Sequence, residues 1–213
     1  MLGMMVNSFY GGVGVGFLNF YVFIILAVFI AGLMVGSFGK ESIDAHGIAL
    51  SMASFTYMFG NGISGASTIR VGIFHAAGDK NNTRKAGFSA MLMVTAGMAF
   101  FACLFLLFHS VLPYSFTDSI PVAQLSSTLL FIAAFFQLGD GLQVTGLGVL
   151  RGMEDVKFPT IITLVGYWVI ALPLCWLLAF KTDLKVFGVW ISLSIALTFV
   201  AIALVLRFKK ISK

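Results

Sequence analysis

Six long apolar runs, separated by short polar connections, make up nearly the whole chain. They cover roughly 14–38, 47–74, 86–112, 124–150, 159–180 and 186–206. Each reaches the length of about 20 residues that a helix needs to cross a ~30 Å hydrocarbon core. Charge is confined largely to the connections: Gly39-Lys40-Glu41-Ser42, Asp79-Lys80-Asn81-Asn82, residues 113–121, Gly152-Met153-Glu154-Asp155 and Lys181-Thr182-Asp183. The pattern predicts an all-α polytopic membrane protein with six transmembrane helices. Pro159 suits the first turn of the fifth helix. Pro173 lies inside that helix and predicts a kink, a feature membrane helices tolerate.

Composition excludes the soluble alternative. Hydrophobic residues make up 60% of the chain and charged residues only 10%, against about 25% charged in a soluble domain. Mean hydropathy is +1.04. The net charge of +5 is not a nucleic-acid signal, because the basic residues sit in connections and in the tail at Arg207, Lys209, Lys210 and Lys213. They are also unevenly divided. With six spans, one side collects Arg70, Lys80, Arg84, Lys85, Arg151, Lys157 and the four tail residues, while the other holds Lys40, Lys181 and Lys185. The positive-inside rule then puts both termini in the cytoplasm. Cys103 and Cys175 occupy different apolar runs and read as buried thiols, without disulfide or metal spacing. No Lys or Arg precedes Lys40, so the basic region of a cleaved signal peptide is lacking. The chain divides into an apolar lead at 1–13, a six-helix unit at 14–208 and a basic tail at 209–213. The uncharged, glycine-rich lead reads as the interior of a larger protein; a natural short protein with an unusual start is the alternative.

Candidate chemistry centres on Asp140, the one charged side chain between Gln124 and Leu150. A carboxylate near mid-bilayer costs about 3 kcal/mol on insertion scales. Such a group faces a bundle interior or an aqueous cavity, where it holds a cation or a proton; the bland alternative is a neutral, hydrogen-bonded structural Asp. Gln137 and Gln143 flank it at i−3 and i+3, and Gly139 and Gly141 allow close approach. Carboxylate, amide and hydroxyl oxygens suit Na⁺, a hard cation, while burial favours a protonated carboxyl. Both ions stay open on the residues. In the second run Ser54, Tyr57, Asn61, Ser64 and Thr68 recur at spacings of three and four, which places them on one helix face. That face suits a cavity wall, or close helix packing through small and hydroxyl residues, or both. Arg70 and Arg151 close the second and fourth runs as snorkelling residues at cytoplasmic helix ends. His46, His75 and His109 lie near run ends with no paired spacing, and no phosphate loop or nucleophile elbow occurs, so no enzyme is predicted and no cofactor beyond a coupling ion.

Taken together, these residues resemble the MATE (multidrug and toxic compound extrusion) transporters. The resemblance begins near Ala31-Gly32-Leu33-Met34-Val35-Gly36. It continues through Ala45-His46-Gly47-Ile48-Ala49-Leu50 and Gly62-Ile63-Ser64-Gly65-Ala66-Ser67-Thr68-Ile69-Arg70-Val71-Gly72. Its strongest piece is Phe136-Gln137-Leu138-Gly139-Asp140-Gly141-Leu142-Gln143, followed by Leu150-Arg151-Gly152 and by Asp155 to Pro159. The match is to the C-terminal six-helix lobe of a twelve-helix, two-lobe transporter. The resemblance implies exchange of Na⁺ or H⁺ for amphiphilic or cationic small molecules, with Asp140 as the cation-coupling residue. Gln137, Gln143, Tyr57, Asn61 and Ser64 would line the path. The implied partners are membrane lipid and an N-terminal six-helix lobe or a second copy. Many members bear an acid in the first helix of this lobe; here that run offers only Asn19 and Tyr21. Two other functions fit less well: a lipid-linked oligosaccharide flippase of the same superfamily, which would want basic residues deep in a span, and a non-transporting fragment or membrane subunit.

Overall fold

A computed structural model describes the backbone of residues 13–213 and the side chains from Ile24 onward. Most of the apolar lead and the side chains of Asn19 and Tyr21 lie outside the described residues. Six long helices follow one another: α1 (Val13–Gly36), α2 (Lys40–Ala76), α3 (Lys80–Phe108), α4 (Ile120–Gly152), α5 (Lys157–Phe180) and α6 (Lys185–Ile211). A single 3₁₀ turn, Leu112–Ser115, joins α3 to α4. Among the described residues there is no strand. Helices α3 to α6 are long and apolar enough to cross a membrane. Helix α2 is the longest, at 37 residues, but its Ser, Thr, Asn and Gly positions dilute its apolar character.

The helices overrun the apolar runs. Helix α2 begins at Lys40 rather than near 47, α3 at Lys80 rather than 86, and α4 at Ile120 rather than 124. Hydropathy falls where the chain meets charge, yet backbone hydrogen bonding continues for another turn or two into the headgroup region. Local chemistry then ends each helix. Gly39 and Gly78 take φ of 99° and 72°, a left-handed conformation that glycine adopts without a Cβ clash. The Asp79 carboxylate caps α3, accepting from the Asn82 backbone N–H at 2.9 Å and from its side-chain amide at 2.7 Å. Those bonds, the backbone one first, hold the Asp79 carboxyl below the usual carboxylate range.

In α5 the expected kink takes a specific form. The helix opens into a π segment at Val165–Ala171 and resumes as α-helix at Leu172. The Leu172 N–H bonds the carbonyl of Tyr167, five residues back. Pro173 follows immediately. A proline ring in a regular helix collides with the carbonyl four residues back and supplies no N–H; a widened turn is one way to relieve both.

Helix α4 is the hub. It packs most extensively on α2, then on α6 and α3. Glycines set how close it comes. A Cβ at Gly148 would lie 2.3 Å from Ser64 Oγ and 2.6 Å from its carbonyl oxygen, and one at Gly152 would lie 2.6 Å from the Thr68 carbonyl oxygen. At this distance α2 hydroxyls reach α4 backbone: Ser64 donates to the Val144 carbonyl at 2.7 Å and Thr68 to the Gly148 carbonyl at 2.9 Å. The stripe read on α2 is therefore in part a packing device. On the outside, Phe55, Leu92, Phe100 and Leu107 are exposed, as lipid-facing side chains must be. Cys103 shares that exposure. It departs from the expected buried thiol because it falls on the outer stripe of α3, whereas Cys175 is buried. At the end of the bundle that holds the C-terminus, Arg207 pairs with Asp155 at 2.7 Å and lies over the Phe158 ring at 5.1 Å. This pair ties the α4–α5 turn to α6.

Gly148→Ala should separate α2 from α4, since the new methyl meets backbone as well as side chain. Overpacking costs about 1–3 kcal/mol, and loss of the hydroxyl–carbonyl bonds adds about 1 kcal/mol. Gly62→Ala, where a Cβ meets nothing within 4 Å, should be neutral or stabilise by up to ~1 kcal/mol. Thermal unfolding of both variants in detergent checks this, and equal midpoints would show that the close contact does not limit stability.

Candidate functional site

Helices α1, α2, α4, α5 and α6 enclose a cavity of about 330 Å³. Its α2 wall runs from His46 to Gly65, a rise of about 28 Å along the helix axis, so the cavity extends through most of the thickness of a bilayer core. Aromatic and aliphatic side chains dominate, among them Phe136, Trp190, Leu193 and Leu197. Polar groups enter as a strip along one side.

That strip contains most of the residues singled out in the sequence. Ser54, Tyr57, Asn61 and Ser64 of α2 line the cavity, opposite Asp140, Gln143 and Arg151 of α4. Ser64 does double duty, since it also donates to α4. Asp140 is the one acidic side chain among the described lining residues. Arg151 lies at the α4 end of the wall, about 16 Å from Asp140 along the axis, while Arg70 is exposed on the α2 terminus and does not line the cavity.

Gln137 departs from its expected place on the wall. The α4 wall is built by Phe136, Asp140, Gln143, Val144, Leu147 and Arg151, at spacings of one, three and four. Gln137 follows Phe136 by one residue and so turns about 100° off the Phe136 direction. It is buried between helices, and neither of its amide atoms has a hydrogen-bond partner among the described residues. The i−3 spacing from Asp140 is compatible with a shared face but does not require one.

Two residues that the sequence pattern did not single out, Tyr167 and Trp190, enter the site, and so does His46, which the sequence offered only as a lone histidine near a run end. Tyr167, in the π segment of α5, is buried and lines the cavity. The Gln143 side-chain N–H donates to its hydroxyl oxygen at 3.3 Å, which leaves Gln143 Oε1 buried without a hydrogen-bond partner. At the end of the cavity formed by the α2 N-terminus, the Trp190 indole N–H donates to His46 Nδ1 at 3.1 Å. The Trp190 ring also packs on Phe136, with centroids 5.5 Å apart. These pairs join positions 24 and 144 residues apart, so no local spacing could announce them. The one legible signal was the aromatic hydroxyl of Tyr167 beside Pro173 in an otherwise apolar run.

The arrangement can hold a cation against one carboxylate and amide and hydroxyl oxygens, next to an apolar surface. Among the described residues no three His, Cys, Asp or Glu side chains cluster, so the site lacks the donor set of a transition-metal centre.

Comparison with known proteins places this architecture. Residues 7–177 match the MatE family. The chain is 41% identical over 176 residues to a probable multidrug resistance protein NorM of Rhodopseudomonas palustris, covering 81% of this chain and 37% of that protein. It is 38% identical over 183 residues to a protein of the same description from Xylella fastidiosa, covering 85% of this chain and 39% of the relative. The fold superposes on an outward-facing multidrug resistance MATE family transporter of the MOP superfamily with a TM-score of 0.86, at 17% identity, over 94% of this chain and 45% of that one. It superposes on the eukaryotic MATE transporter AtDTX14 with a TM-score of 0.76, at 22% identity, over 81% of this chain and 40% of that one. The chain thus spans about two fifths of the length of the curated relatives it matches, and it corresponds to their C-terminal part. Motifs, six-helix architecture and relatives agree: this chain belongs to the MatE family, as a C-terminal six-helix lobe.

Proposed function

We propose that this lobe is the cation-binding part of an antiporter that exports amphiphilic or cationic compounds in exchange for Na⁺ or H⁺. The observation that carries this reading is Asp140. It is the one acid among the described lining residues of a mostly apolar cavity, in a helix long and apolar enough to cross the membrane. An ionisable residue in such a place is expensive and marks an ion or proton path. The aromatic and aliphatic walls offer surface to an apolar drug body, and the carboxylate offers charge complementarity to a cationic one. An ion and a cationic drug compete for the same carboxylate, which is the elementary requirement of exchange.

A second six-helix lobe, supplied by the rest of a relative-length protein or by a second copy, would close the cavity. Alternating access then follows from rocking of one lobe against the other. Cation binding at Asp140 favours one orientation and releases drug. Basic groups are sparse on the described wall, where only Arg151 and His46 appear beside the acid, which suits a lipid-linked pyrophosphate poorly. The membrane is the bacterial inner membrane, and the excess of basic residues on the side of Asp155 and Arg207 puts both termini in the cytoplasm.

Asp140→Asn should leave insertion and membrane level unchanged and lower ion-driven export by roughly tenfold or more, a loss of at least about 1.4 kcal/mol. The measurement is efflux from vesicles holding the two-lobe assembly, at matched protein levels. Wild-type rates would remove Asp140 from the coupling path. Reporter fusions at Lys213 test the orientation: a cytoplasmic reporter should be active, and an active periplasmic one would reverse the topology.

A further inference from the structure

Trp190 is buried, with 2% of its surface exposed, and its indole N–H donates to His46 Nδ1 at 3.1 Å. An indole nitrogen can only donate. The atom it meets must therefore accept, and on an imidazole only an unprotonated nitrogen does so. The bond thus requires a neutral His46 ring with its proton on Nε2. Once Nδ1 takes a proton, two N–H groups face each other and the buried indole donor has lost its acceptor.

The bond bridges two cavity walls. Helices α2 and α6 pack on α4 rather than on each other. His46 and Trp190 both line the cavity, so the pair forms a strut from α2 to α6 at the end near the α2 N-terminus. The α6 footing of that strut is rigid. A Cβ at Gly188, two residues before Trp190, would lie 2.7 Å from the Leu178 carbonyl, so the start of α6 sits tight on the end of α5. Phe136 of α4 backs the indole with centroids 5.5 Å apart, and the imidazole meets it edge-on at 5.8 Å.

Other charges stand apart from the pair. Lys40, Glu41 and Asp44 lie on α2 itself, Lys181 and Asp183 at the α5–α6 turn, and Lys185 at the start of α6. Among the described residues none of these bonds to the His46 ring; Lys181 lies over the Trp176 ring instead. The α1 wall contributes no titratable side chain among its described residues, and the cavity brings in Tyr57, Tyr167, Asp140 and Arg151. Asp140 stands level with Gly60, whose Cβ position is 3.6 Å from Gly141 Cα. That level is about 20 Å along the α2 axis from His46.

We infer that neutral His46 positions the Trp190 ring across this end of the cavity, and that a proton on His46 releases it. The strut is a proton-operated device separate from Asp140 and does not depend on an ion bound there. On the orientation proposed above, this end faces the periplasm, so the strut answers to external pH.

The test is ¹⁵N NMR of the full chain in lipid nanodiscs, titrated from about pH 8 to about pH 4.5. The chain has three tryptophans, and Trp190→Phe identifies the indole signal of interest. At neutral pH the His46 ring should carry its proton on Nε2. On acidification the Trp190 indole signal should titrate together with His46, and its proton should exchange with water roughly tenfold faster. His46→Gln supplies a carbonyl acceptor that does not titrate, so the signal should keep its neutral-pH position throughout. His46→Phe removes the acceptor and should give the fast-exchanging state at every pH. A wild type with the His46 proton on Nδ1 at neutral pH, a Trp190 signal that ignores pH, or one that titrates equally in His46→Gln would each overturn the inference. The first two are read on the wild type, so the test holds even if a variant folds poorly. All three leave the role of Asp140 standing, which efflux by Asp140→Asn decides.

Discussion

The close contact of α2 with α4 is the constraint on which the rest of the lobe depends. Inside a bilayer no water pairs with a stray hydroxyl or carbonyl, and helices gain nothing by hiding apolar surface that lipid solvates equally well. Association must come from packing and from hydrogen bonds that need short distances. Gly148 and Gly152 bring the α4 backbone against Ser64 and Thr68, where any Cβ would collide. The hydroxyls of those two residues then reach α4 carbonyls. With α2 and α4 fixed at this separation, their polar strips face each other across one cavity. A wider spacing would leave Ser64 and Thr68 to their own helix and move Asn61 and Tyr57 away from Asp140.

The polar inventory of the cavity divides into groups that are spoken for and groups that are not. Ser64, His46, Trp190 and the amide N–H of Gln143 all have partners within the protein. Gln143 Oε1 does not, and Asp140 is only partly covered. A structural polar network inside a membrane would be expected to close on itself, since a half-satisfied one is unfavourable. Unpartnered buried atoms also occur off the wall, on Gln137, Thr145, Thr163 and Ser212; of all such atoms among the described residues, Gln143 Oε1 is the one on a residue that lines the cavity.

Away from the cavity, the lobe is tied at its ends by chemistry suited to the interface. Asp79 caps α3, and Asp155, Arg207 and Phe158 pin the α4–α5 turn to α6. These charges sit where water and headgroups reduce the cost of holding them. The unit they bound matches MATE transporters over 94% of its length while covering 45% of theirs. It has the shape of one lobe, with a cavity lined by its own helices.

Much of this was readable from order along the chain. Apolar length against bilayer thickness predicted six helices, and the isolation of Asp140 in a long apolar run singled out the one acid among the described residues of the cavity wall, because both follow from solvent physics that acts residue by residue. The three-and-four spacing on α2 placed Ser54, Tyr57, Asn61 and Ser64 on one face, because helical periodicity is local. What local rules could not decide was which face meets which neighbour. Gln137 and Gln143 stand at equal spacing from Asp140, yet only Gln143 lines the cavity. The azimuth of α4 is set by glycine contacts with α2 and α6, and spacing from Asp140 does not specify it. Helix ends past the charged residues depended on capping and turn geometry, and hydropathy does not register either. Tyr167 could be recognised only in three dimensions: its direction depends on a π turn beside Pro173, and its partner lies 24 residues earlier on another helix.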